Sequence, residues 1–409
     1  MRRSAPAGWE QTILLCTLIG TAQMTWGVVV PVLPLHMSAL HAPVILLGPL
    51  IAAFAIGRVI GNIPAGLLMR RWNPRAMLHV CLGLLAAITA VTGLVDDLGV
   101  IFALRLAAGV LGGAAVTIAF AVVLAGAPAA RRGRVVAVAN VVQMSAAAVG
   151  ALLGGVVVSI AGSAAAFAAA AVPVVLAAAW DLVRPARGYW DTVVRPVPGG
   201  KDPAPVVADD SPRRGVLISL IAVSFALFFA RFAAEQGLVP VLAYEQGGLD
   251  PVGLGLALAG GTLLSMLALP FVGRAIDRGA RLSVILPSTL ASALCLVALG
   301  VADSAWPFAL LVVAYGLMTS VANVVPGVVT AEAFPGRRAG GVVGVTRTAG
   351  DLGAAAGPVL VFALADGAGP TVALAGVAVV LVLALGPFAA VTHRWTRLRT
   401  ARRVIENGG

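Results

Sequence analysis

Two stretches of the chain hold an arginine and a carboxylate four residues apart in otherwise apolar surroundings. One pairs Arg347 with Asp351 inside Gly344-Val-Thr-Arg-Thr-Ala-Gly-Asp-Leu-Gly, and the other pairs Arg231 with Glu235. On a helix this spacing puts both charges on one face. Burial makes a carboxylate hold a proton more readily and a nearby guanidinium reverses that, so moving the arginine takes up or releases a proton. The spacing thus fits reversible proton binding, and it equally fits ion pairs that lock helices together. Arg58 and Arg105 also lie in apolar runs, so four arginines face only two acids. That surplus favours neutral or anionic solutes over simple cations.

The elements around these residues are set by composition. Hydrophobic residues make up 60% of the 409 and charged ones 11%, with a mean hydropathy of +1.00. Apolar segments of bilayer length, about 20 residues, follow one another at 11–35, 44–69, 76–95, 99–126, 135–160, 163–183, 215–243, 251–275, 282–301, 305–330, 339–365 and 370–391. The expected fold is therefore an all-α membrane protein of twelve spans. The apolar run after Met1-Arg-Arg reads as the first span, uncleaved.

Polar residues are unevenly shared among the spans. The third, sixth, ninth and twelfth carry little beyond Ser, Thr, Cys and His79, and are expected to form the lipid-facing wall. The first, second, fourth, fifth, seventh, tenth and eleventh hold Gln23, Trp26, Arg58, Asn62, Arg105, Asn140, Gln143, Arg231, Glu235, Gln236, Tyr315, Asn323, Arg347 and Asp351. Each charged group facing lipid would cost roughly 2.5–3.5 kcal/mol. These residues are therefore expected to border a watered crevice, with the ten uncharged or arginine positions outside the two acid pairs (Gln23, Trp26, Arg58, Asn62, Arg105, Asn140, Gln143, Gln236, Tyr315, Asn323) as solute contacts.

Arginines occupy every second connection, among them Arg70, Arg71, Arg75, Arg131, Arg278, Arg281, Arg337 and Arg338, together with the tail from Arg394 to Arg403. The alternate loops carry His36, His41, Asp96, Asp97, Glu245, Asp250, Asp303 and Asp366 and no Lys or Arg. This positive-inside pattern places both termini in the cytoplasm of a protein crossing the inner (plasma) membrane. The net charge of +11 is a topology signal, and its spread over short loops excludes a basic nucleic-acid face.

Shifting the chain by 207 residues superposes Gly66 on Gly273, Arg71 on Arg278, Gly93 on Gly300, Asp96 on Asp303, Gly109 on Gly316, Pro128 on Pro335, Arg131 on Arg338, Gly133 on Gly340 and Gly150 on Gly357. Two copies of a six-span unit are expected, at 1–184 and 215–392, related by an axis along the membrane normal. Between them 185–214 reads as an extended cytoplasmic linker, in which Tyr189-Trp190 offers a possible partner contact, and 393–409 as a tail.

Together these features resemble the major facilitator superfamily over nearly the whole chain, and more narrowly its drug/proton antiporter branch. The loop signature Gly-x-Leu-Ala-Asp-Arg-x-Gly-Arg-Arg corresponds to Gly66-Leu-Leu-Met-Arg70-Arg71-Trp-Asn73-Pro-Arg75, with Arg70 at the acidic position and Asn73 at the second glycine. The second-half copy Gly273-Arg-Ala-Ile-Asp277-Arg278-Gly279 keeps the Asp-Arg pair. Arg105-Leu-Ala-Ala-Gly109 is similar to the fourth-span pattern, and Gly150-Ala-Leu-Leu-Gly154-Gly155 to the antiporter signature with Ala151 replacing its proline. The resemblance implies a charge latch that closes the cytoplasmic rim, carried by Asp277, with Gly66, Arg71, Arg75, Gly150, Gly154, Gly273, Arg278, Gly357 and Pro358 at the moving contacts. Gly-x-x-x-Gly at Gly150 and Gly353 also fits simple close helix packing.

No Gly-rich phosphate loop ending in Gly-Lys-Ser/Thr occurs, so ATP hydrolysis is not expected. His36, His41, His79 and His393 show no metal spacing, His36 and His41 reading as two residues of one outer loop, and no nucleophile elbow appears. Cys16, Cys81 and Cys295 fall in apolar runs. An enzyme, a metal and a cofactor are thus not expected. The sequence points to a monomeric secondary transporter of a small solute, coupled to protons and surrounded by the lipid bilayer, with efflux implied by the resemblance. Import, and a non-transporting sensor of the same fold, are the alternatives.

Overall fold

The computed structural model describes residues 9–69, 71–127, 132–193, 211–334 and 337–407. Arg70, Pro128, Arg131, Pro335 and residues 194–210 of the expected linker lie outside them. The first half comprises α1 (Trp9–Ala39), α2 (Leu47–Leu68), α3 (Pro74–Thr92), α4 (Leu98–Gly126), α5 (Arg132–Val183) and the short α6 (Arg187–Val193). The second comprises α7 (Ser211–Ala230), a π-helical turn (Arg231–Leu238), α8 (Val239–Glu245), α9 (Pro251–Asp277), α10 (Arg281–Leu299), α11 (Ala305–Ala322), α12 (Val324–Ala333), α13 (Arg337–Ala368) and α14 (Pro370–Asn407).

Eleven helical stretches among the described residues are long and apolar enough to cross a bilayer. One of them makes two crossings, because α5 breaks at Gly162, whose φ of 80° and ψ of 178° no helix contains. Glycine alone adopts that conformation cheaply. The twelve crossings form the two six-helix bundles of the expected fold.

Several boundaries follow from local chemistry. Asp97 and Asp250, read in sequence as outer-loop acids, cap α4 and α9 by accepting from the backbone N–H of Val100 and Gly253 at 2.9 and 2.7 Å. Asn73 does the same for α3, accepting from Arg75 N–H at 2.9 Å with Pro74 at the first helical position. The residue that departs from the family loop signature is thus a good helix start.

The internal repeat is visible in the packing. A Cβ on Gly93 would lie 2.9 Å from Ala164 Cα, and one on Gly300 would lie 2.9 Å from Thr371 Cα. Both glycines and both partners are 207 residues apart. The same shift relates the approach of Gly109 to Phe54 and that of Gly316 to Gly261.

Three expectations change. Residues 187–193, read as extended linker, form α6, and its aromatic pair docks on its own bundle: the Tyr189 hydroxyl lies 2.6 Å from Thr12 Oγ1, and Trp190 donates to Asp181 at 3.0 Å. His36 does not share an outer loop with exposed His41; it is 4% exposed, 3.0 Å from Ser163 Oγ and edge-on to Phe167. The sixth crossing, read as nearly free of charge, ends in fully buried Asp181, which Arg75 holds at 2.7 Å and His79 approaches at 3.3 Å. Burying that carboxylate requires such partners.

Candidate transport site between the bundles

The bundles touch along a seam that is tight at one end and open at the other. At the tight end Tyr244 donates to Pro31 O at 2.8 Å. There a Cβ on Gly48 would lie 2.8 Å from Pro358 O, and one on Gly155 would lie 2.9 Å from Pro251 C. Toward the arginine-rich end a Cβ on Gly66 or Gly273 would meet nothing within 4 Å, and Arg71, Asp277 and Arg278 are exposed with no ion pair among the described residues. The expected latch at Asp277 is not engaged in this conformation. Arg75, expected to gate, instead holds Asp181 inside its own bundle.

Between these levels lies a cavity of about 420 Å³. Trp26, Asn140, Gln143, Arg231, Glu235, Gln236 and Asn323 line it, as the sequence led one to expect. Asn140 and Asn323 are exposed at its mouth. Thr262 and Leu269 of α9, with Thr319 and Ser320 of α11, also line it. Sequence alone does not single these out, because a Thr or Ser in an apolar span is common and only the packing shows which way it faces. Gln23, Arg58, Asn62 and Arg347 border a separate cleft of about 10 Å³, room for a single water.

At the seam the Trp26 indole donates across the bundles to Gln236 Oε1 at 2.8 Å. A buried indole N–H needs such an acceptor. Trp26 stacks on Phe54 at 4.2 Å and on Phe232 at 5.6 Å. Arg105 sits over Trp26 and Phe54 at 4.9 and 5.1 Å, is 3% exposed, and borders neither cavity. Its Nε and Nη2 have no hydrogen-bond partner among the described residues. Aromatic faces, worth about 2 kcal/mol to a desolvated cation, stand where the sequence suggested water. Tyr315 is likewise buried, at 1% exposure.

The two acids differ in their partners. Asp351 does not pair with Arg347; it lies 3.3 Å from Arg58 of α2 across the seam and accepts from Asn62 Nδ2 at 3.4 Å. Asn62 in turn accepts from Thr117 at 2.9 Å. Helical side chains lean toward the N-terminus, so an arginine four residues before an acid leans away from it. Arg347 is exposed, with no ion pair among the described residues, yet near enough to Arg58 to repel it, as is Arg231. Arg231 and Glu235 do face each other, at 3.9 Å, within the π-helical turn.

That turn has a sequence cause. Pro240 has no N–H to give Gln236 O, and the last π-type bond runs from Val239 N–H to Ala234 O. Wide turns of this kind often mark functional sites.

Gly150 and Gly154 pack α5 against Met24 and Val28 of α1, and Gly357 packs α13 against Phe229 and Ala233. All three contacts lie inside a bundle, the geometry of the helix-packing reading.

Comparison with solved structures finds the same architecture. A bacterial homologue of the human lysosomal transporter Spinster, inward-facing and unoccupied, has a TM-score of 0.77 at 13% identity, covering 97% of this chain and 99% of that one. The human organic anion transporter MFSD10 gives 0.65 at 17% (94% and 100%), and the nucleoside transporter NupG 0.71 at 14% (93% and 99%). Comparison with curated protein sequences returns no match. The profile of the Major Facilitator Superfamily matches residues 15–247 and 220–406, nearly the whole described chain, and the protein belongs to that superfamily.

Proposed function

We propose that this chain is a proton-coupled secondary transporter that exports a small organic solute by alternating access. The single observation that carries this reading is a solute-sized cavity on the seam between the bundles, closed at one end, on a seam that the Arg58–Asp351 ion pair crosses elsewhere. If arginine-rich loops face the cytoplasm, the cavity opens inward, and the units 1–184 and 215–392 rock about it.

In this scheme Asp351 is the coupling carboxylate and Arg58, in place of Arg347, its counter-ion. A proton on Asp351 removes the attraction that holds α2 to α13 and frees the seam to open; its loss restores the bridge. Glu235, which lines the cavity, is the carboxylate that cavity water reaches in this conformation. Trp26, Gln143 and Gln236 contact the solute at the cavity wall, and Asn140 and Asn323 at its mouth. Asp277 engages when the arginine-rich rim closes. Efflux rests on the likeness to the drug/proton antiporter branch; Ala151 in place of that signature's proline favours import as the second reading.

Purified protein in liposomes, given a broad solute panel with the proton gradient set in each direction, tests this. Uphill accumulation driven by the gradient is expected for one solute class, and its direction separates export from import. Passive equilibration alone, or no flux of any solute, would remove the reading.

A further inference from the structure

The two arginine–carboxylate pairs, alike in sequence, are built differently. Arg58 and Asp351 are 3.3 Å apart with side chains 16% and 5% exposed, joined across the seam. Arg231 and Glu235 are 3.9 Å apart, 34% and 20% exposed, on one turn of one helix, and both line the large cavity. At that distance they attract without hydrogen bonding. The Arg231 Nε–H, the group nearest Glu235, is buried and has no acceptor among the described residues. The wide π-helical turn thus holds Arg231 and Glu235 side by side on the cavity wall, with no hydrogen bond between them.

Resting on the transporter reading, we propose that this loosened pair is the head-group site for a zwitterionic solute of the α-amino acid type, whose carboxylate meets Arg231 and whose ammonium meets Glu235. Charge balance selects this class. A solute with one charge that took either partner would leave the other on the cavity wall without a counter-ion, which is unfavourable. A zwitterion replaces one stretched contact with two close ones and leaves no charge unpaired. In an α-amino acid both groups hang from one carbon, so they reach neighbouring side chains on one helix turn. The cavity, at about 420 Å³, is within the usual range for small-molecule sites, about 300–1,000 Å³. Its remaining wall, with Met144, Phe228, Leu258 and Val312 beside Gln143 and Thr262, accommodates an apolar or amide side chain.

Thermal unfolding of the detergent-purified full chain is measured with each standard α-amino acid, and the best is retested as its N-acetyl and α-amide derivatives. The free amino acid is expected to bind about tenfold or more tightly than either blocked form, the effect of losing one charge-assisted bond. In Glu235→Gln the free and N-acetyl forms become equal; in Arg231→Gln the free and amide forms do. These are ratios within one variant, so a general loss of stability does not mask them. The double variant, unchanged in net charge, binds all three forms alike. Stabilisation by no standard amino acid, equal binding of a blocked form to the unsubstituted protein, or selectivity unchanged in the variants overturns the proposal. Gradient-driven flux of an N-acetylated or uncharged solute would overturn it while leaving transport intact, whereas absence of flux for every solute class strikes the transporter reading itself.

Discussion

Replacing Gly155 with alanine tests whether the tight end of the seam belongs to one conformation only. A Cβ there meets the carbonyl group of Pro251, with Pro251 C at 2.9 Å, and Pro251 opens α9 of the other bundle. The obstacle is backbone at a helix start, so no rotamer relieves it. Overpacking of this kind costs about 1–3 kcal/mol, charged only to the state in which the bundles touch. The equilibrium between the two seam conformations is therefore expected to move roughly 5- to 150-fold away from this one. Gly61→Ala is the control, because its Cβ would strike Val110, with Val110 C at 3.0 Å, inside the first bundle in either state. Spin labels on Trp72→Cys and Arg278→Cys, in a background lacking Cys16, Cys81 and Cys295, report the separation at the arginine-rich rim. Gly155→Ala should transfer population from the long to the short distance, while Gly61→Ala lowers Tm without changing that ratio. If both variants lower Tm alike and neither moves the distances, the glycine contact is not specific to one state and the reasoning fails.

Asp351→Asn should abolish gradient-driven flux and lower stability by about 3 kcal/mol in denaturant titration, since Arg58 loses its counter-ion; adding Arg58→Gln should recover most of the stability and none of the coupling. Asp181→Asn should cost a similar amount, because a fully buried acid that serves Arg75, His79 and Trp190 loses its charge; retention of wild-type Tm would show the cluster to be dispensable. Arg105→Met should leave Tm unchanged or raise it, because two unsatisfied guanidinium nitrogens offset cation–π contacts worth about 2 kcal/mol. A clear fall in Tm there would mean the aromatic contacts dominate.

The fold was legible because bilayer-length apolar segments, alternating loop charge and the 207-residue repeat each constrain the chain independently. Where the polar residues gather was legible in part: seven of the anticipated positions line the large cavity. Partners were not. Asp351 to Arg58 spans 293 positions of sequence, and no local pattern encodes which face of α13 meets α2. The i, i+4 spacing that drew attention to Arg347 was a weak guide, since helical side-chain direction works against that order. Arg105 was misplaced for another reason. Counting charges identifies a cation that lacks a carboxylate, but an aromatic box answers that need as water does, and Trp26 and Phe54 lie 79 and 51 residues away in sequence.

The composition of the seam bears on how such a molecule changes state. Lipid tails are as apolar as leucine, so no hydrophobic drive holds the two bundles together in a membrane, and packing with a few polar bonds must do so. Among the described residues those bonds are one ion pair at Asp351 with its Asn62 contact, the Trp26–Gln236 bond, the Tyr244–Pro31 bond and a Ser145–Met266 contact of 3.3 Å. Each joins α1, α2 or α5 to the second half, and only the first contains a group that a proton can neutralise. Within the first bundle, by contrast, α1 packs on α5 through Gly20, Gly27, Gly150 and Gly154, contacts that no change of protonation touches. In the proposed scheme a proton on Asp351 would weaken the contact between the bundles without loosening either one, the separation of rigid body from switch that alternating access requires.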